Sequence, residues 1–325
     1  MKNLSILIPE NHSNLSSVIL TFEVFTKANE YYGKNVFNIQ LVSNSRKTVL
    51  HKGLFTIHPD VLLSDRPRAH LILIPALDEH INKTLGHNNV LIEWVTEQYK
   101  LGAEVASLCT GAFLLAAAGI LNGKQCSTHW QAADVFKQMF PDLDLKTEKI
   151  ITDEQGVYTT GGALSSLNLL LHLVEKYYDR QTAIFCAKFF EIDLDRNSQS
   201  PFSIFTGQKN HEDEAIKAVQ TYMENNLSEK INMKDLAAEF SIDRRNFDRR
   251  FKKATMNTPA EYMQRIKIEA AKKSFETTRK NVNEVMYEIG YNDTKAFRLL
   301  FKKITGLSPL DYRNKYNKDA IVYST

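Results

Sequence analysis

Cysteine is scarce. Cys109, Cys126 and Cys186 are too few and too scattered in 325 residues for a disulfide framework or a zinc site. That usage fits a reducing cytoplasm, and no metal or other cofactor is expected. Long apolar runs are also missing. None approaches the ~20 residues needed to span a bilayer, so no membrane partner is expected. The opening stretch Met1 to Pro9 has a short apolar part that meets Pro9-Glu10 without a small-residue cleavage pattern. It reads as a buried first strand, not a signal sequence. Proline is absent between Glu212 and Thr258, where helix formers dominate. What remains, 43% hydrophobic and 24% charged residues, is the composition of a soluble globular chain. Its length accommodates two domains of ~100–200 residues each.

The net charge of +3 hides an asymmetry. Residues 1–200 hold 18 Lys+Arg and 21 Asp+Glu, whereas residues 201–325 hold 23 and 17. The basic excess sits on the smaller part, as expected if one module meets a polyanion and the other does not.

The first part alternates strands and helices. Leu4–Ile8, Phe37–Val42, His70–Pro75 and Glu104–Leu108 read as strands, and Val18–Phe25 and Leu91–Tyr99 as helices. Continuous apolar strands separated by helices imply a parallel sheet covered on both faces, an α/β sandwich. Between Asp193 and Asn210 the chain turns polar and rich in turn formers. The expected division is a ligand-sensing domain at 1–195, a linker at 196–211 and an all-α domain at 212–318.

The second part contains a duplication. Phe251 to Tyr262 and Phe301 to Tyr312 are identical at six of twelve positions, at an offset of 50. Upstream, Asn232, Met233, Leu236, Ala237 and Phe240 pair with Asn281, Val282, Val285, Met286 and Ile289 at an offset of 49. One supersecondary unit is therefore built twice. Asn232 and Asn281 are N-cap candidates, each followed three residues on by an acid, Asp235 or Glu284, as in a capping box. Gly290 suits a left-handed cap in the second turn. Phe247 and Phe251, matched by Phe297 and Phe301, face inward. Outward lie Arg244, Arg245, Asp248 and Arg249 in one copy and Thr294, Lys295 and Arg298 in the other. A short helix, a tight turn and a second helix with a cationic outer face is the helix-turn-helix plan, with the second helix in the DNA major groove. A helix from Thr258 to about Thr277 joins the units and would hold two recognition helices roughly 34 Å apart. A plain helical bundle with a solvated basic surface explains the duplicated turn, caps and Phe pairs less well.

Residues 213–317 resemble the AraC/XylS-type DNA-binding domain. The resemblance is most specific at Ile289-Gly290-Tyr291, at Phe297 with Phe301, and at Gly306-Leu307-Ser308-Pro309 followed by Tyr312-Arg313. It implies base-reading positions at Arg245, Asn246 and Arg249, and at Thr294, Lys295 and Arg298. Leu299 stands where that family often carries a contacting Arg, which implies looser reading by the second unit.

Val105 to Ala116 runs from strand to helix with Cys109 at the junction, a nucleophile-elbow arrangement. A helix N-terminus stabilises a thiolate, and His129 offers an imidazole twenty residues on, so Cys109 and His129 are the catalytic candidates. The competing reading is that free Cys usually just packs, and one His is not a triad. The stretch from about residue 3 to 190 resembles the ThiJ/PfpI superfamily of class I glutamine-amidotransferase-like domains, on the Cys109 elbow, Gly123 to Trp130, and Val157 to Ala163. The whole chain is similar to GlxA-type regulators, which fuse such a domain to an AraC-type one. The resemblance implies a flavodoxin-like sheet. It also implies an acidic partner for Cys109, where this chain has Ser17; Glu10 in the first loop is the alternative carboxylate. The expected pocket comprises Cys109, Thr110, Gly111, His129, Thr160 and Gly161, with Gly162 adding a further backbone donor, and would favour anionic or carbonyl-bearing ligands.

Together these features imply a sequence-specific transcriptional regulator without enzymatic activity. Its expected partners are double-stranded DNA, RNA polymerase, an unidentified small-molecule effector and a second copy bound through the first domain. The alternatives are a ThiJ/PfpI-type cysteine enzyme, hydrolase or glyoxalase-like, with a DNA-binding tail, and a redox sensor using Cys109.

Overall fold

The computed structural model of the chain describes residues 1–10, 14–77 and 80–317; Lys318, the expected end of the second domain, lies outside them. The chain forms two compact units, Met1–Gln199 and Ser200–Thr325.

The first unit begins with β1 (Lys2–Leu7), α1 (Leu15–Tyr32) and β2 (Phe37–Ser43). A hairpin of β3 (Thr48–Leu50) and β4 (Phe55–Ile57) precedes β5 (Val61–Leu62). Then come β6 (Leu71–Ile74), α2 (Ile81–His87), α3 (Asn89–Lys100), β7 (Glu104–Ser107) and α4 (Ala112–Ala117). The unit continues through β8 (Gln125–Cys126), α5 (Ala133–Met139) and β9 (Asp144–Leu145). It ends with β10 (Ile151–Glu154), β11 (Val157–Thr160), α6 (Ser165–Tyr177) and α7 (Arg180–Phe189).

One sheet runs in the order β10-β11-β7-β6-β1-β2-β5. Alternate residues of each strand serve opposite faces. Ile72, Ile74 and Val105 join Leu7 in a core with Leu91, Phe113 and Phe136 from α3, α4 and α5. Leu71, Leu73 and Ala106 join Leu4 in a second core with Phe25, Leu170 and Ala183 from α1, α6 and α7. This is the two-faced α/β sandwich expected from the apolar runs. One edge departs from it: β10 pairs antiparallel with β11. Gln155 and Gly156 both take positive φ, 54° and 77°, as a two-residue hairpin turn requires.

In the second unit the segment before the helices is tied down. The Ser203 carbonyl accepts from Lys272 Nζ, the Phe205 ring meets the Tyr262 ring edge-on at 5.4 Å, and the Gln208 carbonyl accepts from Gln220. The helices are α8 (Glu214–Asn225), α9 (Met233–Glu239), α10 (Arg244–Thr255), α11 (Pro259–Thr277), α12 (Val282–Glu288), α13 (Thr294–Thr305) and α14 (Pro309–Tyr316). Thr258 and Glu261 close a capping box at the start of α11, as do Asn281 and Glu284 at α12; Asn232 caps α9 through the Lys234 amide. Two cores result. Ile216, Leu236, Phe247, Phe251, Tyr262 and Ile266 form the first. Ile268, Phe275, Val285, Phe297, Phe301 and Tyr312 form the second. Helix α11 serves both, its amino-terminal half packing in one and its carboxy-terminal half in the other. Truncating a fully buried Phe of either pair to Ala costs about 3–5 kcal/mol.

Candidate functional site

Each duplicated unit is a helix, a tight turn and a second helix: α9 with α10, and α12 with α13. Both turns need one left-handed residue, Ser241 at φ 56° in the first and Gly290 at φ 76° in the second. Each outer helix then starts on an aspartate. The Asp243 carboxylate accepts from the amides of Arg245 and Asn246, and the Asp293 carboxylate from those of Lys295 and Ala296. The spacing pattern of the sequence does not by itself mark these aspartates as caps. Their common offset of 50 was the available signal.

Burying Phe247 and Phe251 turns the opposite face of α10 to solvent. Arg244, Arg245 and Arg249 are exposed; Asn246 and Asp248 are half-buried. Two local bonds order this face: Arg244 Nε donates to Asp248 Oδ2 at 2.8 Å, and an Arg249 guanidinium nitrogen to Asn246 Oδ1 at 2.8 Å. On α13, Lys295, Arg298 and Leu299 are exposed and Thr294 is half-buried. The expected DNA-facing residues therefore form two outward faces, one on each outer helix. Asp248 is therefore paired with Arg244, as Asn246 is with Arg249.

The two faces are held within one unit. Lys267, buried in the middle of α11, donates to the Glu229 carbonyl at 3.2 Å and lies 5.4 Å from the centre of the Tyr291 ring. It bridges the loop before α9 and the turn after α12. Burial pulls its ammonium below the usual lysine range. Beneath α8, the Arg250 guanidinium grips both oxygens of Asp213 at 2.8 and 2.6 Å.

In the first unit the elbow after β7 is strained. Cys109 takes φ 56°, a left-handed conformation rare for a non-glycine residue. Thr110 Oγ1 accepts from the Leu77 amide at 2.8 Å and donates to its carbonyl at 2.7 Å, pinning the elbow to the loop after β6. Gly111 is required there: a methyl group on it would lie 2.7 Å from the Pro75 carbonyl oxygen. Cys109 and His129 line two adjoining cavities of about 650 and 340 Å³. The larger also meets Leu77, Lys83, Phe113 and Val135; the smaller meets Ser17, Leu108 and Leu167. Burial pushes the Cys109 thiol up, against hydrogen bonds from the Ala163 and Thr110 amides. Burial also pulls the His129 imidazole down. Its Nδ1 accepts from the Gln131 amide at 3.1 Å.

Three expectations for this pocket need correction. Gly111, Thr160 and Gly161 line neither cavity, and the Gly111 amide is spent on the Leu108 carbonyl at 2.8 Å. The Gly161 amide is spent on the Ile150 carbonyl at 3.0 Å, and the Gly162 amide on Gln199 Oε1 at 3.2 Å, so neither is left for a ligand. Gly162 instead clears space, since a methyl there would overlap the His129 ring. Glu10 does not replace the missing acid: its carboxylate accepts from the Ser45 hydroxyl. Ser17 spends its own hydroxyl on the Asn14 carbonyl and the Ala76 amide. Among the described residues no cluster of His, Cys, Asp and Glu could hold a metal ion. No helix among them is long and apolar enough to cross a membrane.

The DJ-1/PfpI family pattern matches residues 5–176, more than half of the chain. The chain belongs to the DJ-1/PfpI family. Beyond its DJ-1/PfpI unit, a helix-turn-helix domain pattern matches residues 236–315. The HTH-type transcriptional regulator GbdR of Pseudomonas aeruginosa is 23% identical over 316 residues, covering 96% of this chain and 84% of that protein. The HTH-type transcriptional regulator GlxA of Rhizobium meliloti is 23% identical over 222 residues, 66% of this chain and 67% of its own. Drosophila melanogaster DJ-1beta shares the fold of the DJ-1/PfpI unit, with a TM-score of 0.50 and 14% identity over 59% of this chain and 98% of that one.

Proposed function

We propose that this protein is a sequence-specific DNA-binding transcriptional regulator that responds to a small molecule through its DJ-1/PfpI unit. The observation that carries this is the pair of outward faces. Arg245 and Arg249 on α10, and Lys295 and Arg298 on α13, stand exposed on helices whose opposite sides are anchored by buried Phe pairs. Arg reads guanine bidentately, Asn reads adenine, and Lys attracts phosphate. A regulator of this kind works on double-stranded DNA in the cytoplasm, meets RNA polymerase there, and pairs with a second copy through its first unit. Selection of bound duplexes from random DNA, with affinity measured against salt, tests the reading. Two enriched blocks and a steep loss of affinity with salt are expected. Recovery of no preferred sequence would overturn it.

The elbow supports sensing better than turnover. The larger cavity lies within the roughly 300–1,000 Å³ range of small-molecule sites, and its apolar walls with Lys83 suit a compact carbonyl-bearing or anionic effector. The strained φ of Cys109 favours a second reading, a cysteine enzyme. Against it stand a thiol raised by burial and a Ser17 that offers no carboxylate. A thermal-shift screen of carboxylates and amides should find a stabiliser whose effect is lost in Cys109→Ala and His129→Ala. No shift for any compound would count against a sensing pocket.

A further inference from the structure

Aligning the two copies of the repeat places unlike side chains at equivalent positions. At the offset of 50, Arg245, Asn246 and Arg249 of α10 correspond to Lys295, Ala296 and Leu299 of α13. With Phe297 and Phe301 buried, helical geometry sets Leu299 near the middle of the solvent face, one turn beyond Lys295 and one turn before Lys303. It is 62% exposed. A single exposed Leu needs no explanation by itself. Here, however, it occupies the central place that Arg249 holds in the first copy. Asn246, the neighbouring amide reader, has become Ala in the same copy. Both changes remove hydrogen-bonding groups while the lysines around them keep the face cationic.

We infer that Leu299, with Ala296, reads thymine methyl groups in the major groove, so the two helix-turn-helix units read their half-sites by different chemistry. This rests on the DNA-binding reading above. Thymine is the base that presents a C5 methyl group in that groove, and apolar side chains recognise it by contact. The first half-site is then read through guanine and adenine hydrogen bonds from Arg and Asn, the second through one or more thymines. Such an operator is asymmetric, and it orients a single chain on the duplex.

The test uses the full-length protein and duplexes selected from random DNA. In the half-site read by α13, each selected thymine is replaced in turn by deoxyuridine, which keeps the hydrogen-bonding edge and lacks the methyl. At one position at least, the wild-type protein should lose about fourfold in affinity, the worth of one buried methyl-sized group. At one of these positions Leu299→Ala should bind the thymine and deoxyuridine duplexes equally, while any thymine read by Ala296 keeps its penalty. Leu299→Arg, which restores the residue type of the first copy, should shift selection at that position from thymine to guanine. If wild type binds every substituted duplex as tightly as the parent, or if Leu299→Ala keeps the wild-type deoxyuridine penalty at every position, the inference fails. Those outcomes leave sequence-specific binding intact. Absence of any selected sequence would instead strike at the regulator reading.

Discussion

Gly290 lies directly against the Ser228 carbonyl oxygen: a methyl group at Gly290 would come within 2.3 Å of it. Ser228 lies in the loop leading into the first helix-turn-helix unit and Gly290 in the turn of the second, so this contact, with Lys267 beside it, holds the second turn against the entry to the first unit. Gly290 also takes φ 76°. Gly290→Ala therefore meets both backbone strain and a clash, and should destabilise the protein by about 2–4 kcal/mol. Urea unfolding measures the change. A loss below about 0.5 kcal/mol would mean that the junction is not tightly packed.

The first copy has left-handed residues where the second has glycine. Ser241 corresponds to Gly290, and Met256, with φ 56°, to Gly306, with φ 77°. Ser241 is exposed and Met256 is 38% exposed, so neither side chain contributes much packing. Ser241→Gly and Met256→Gly should each stabilise by about 0.5–1 kcal/mol, because glycine adopts this conformation without a Cβ penalty. A lower unfolding midpoint in either variant would show that its side chain matters more than its backbone angle.

Stability of the second unit should depend on pH through Asp213. Hydrogen bonds from the Arg250 guanidinium hold its carboxyl below the usual range, outweighing the burial that pushes it up. A carboxylate with a lowered folded pKa stabilises fully above its unfolded value near about 3.9. That contribution is lost as pH falls through the lower folded value. Asp213→Asn keeps an N-cap and removes the ion pair. The gap in urea midpoint between wild type and this variant should stay constant above about pH 5 and narrow toward pH 3. A gap independent of pH would assign the effect to something other than charge.

Iodoacetamide distinguishes sensing from catalysis at the elbow. With its thiol raised by burial, native Cys109 should label slowly at neutral pH and gain rate only above about pH 8.5, the ordinary thiol range. Cys126 and Cys186, pushed up to about 12 and about 11, should stay silent. Rapid labelling of Cys109 near pH 6–7 would revive the enzymatic reading.

Patterns of spacing were legible in the sequence; local competition for hydrogen bonds was not. The duplicated Phe pairs, the cap of Asn281 with Glu284, and the Cys109 elbow all depend on residues close together in the chain. The fate of the Gly161 and Gly162 amides depends on Ile150 and on Gln199, which lies 37 residues beyond Gly162. No local pattern marks Gln199 as a buried cap. The antiparallel β10 escaped notice because Ile151 to Glu154 is a half-exposed edge without a continuous apolar run. Glu10 looked available for Cys109 only because its partner, Ser45, is equally remote in sequence.

Hydroxyl-radical footprinting of the full-length protein on a selected duplex tests the central claim most directly. Two recognition helices fixed by α11 should protect two patches on one face of the duplex, centred about 10–10.5 base pairs apart. Inserting five base pairs between them should abolish protection of one patch. A single protected patch, or two that remain protected whatever their spacing, would contradict the account.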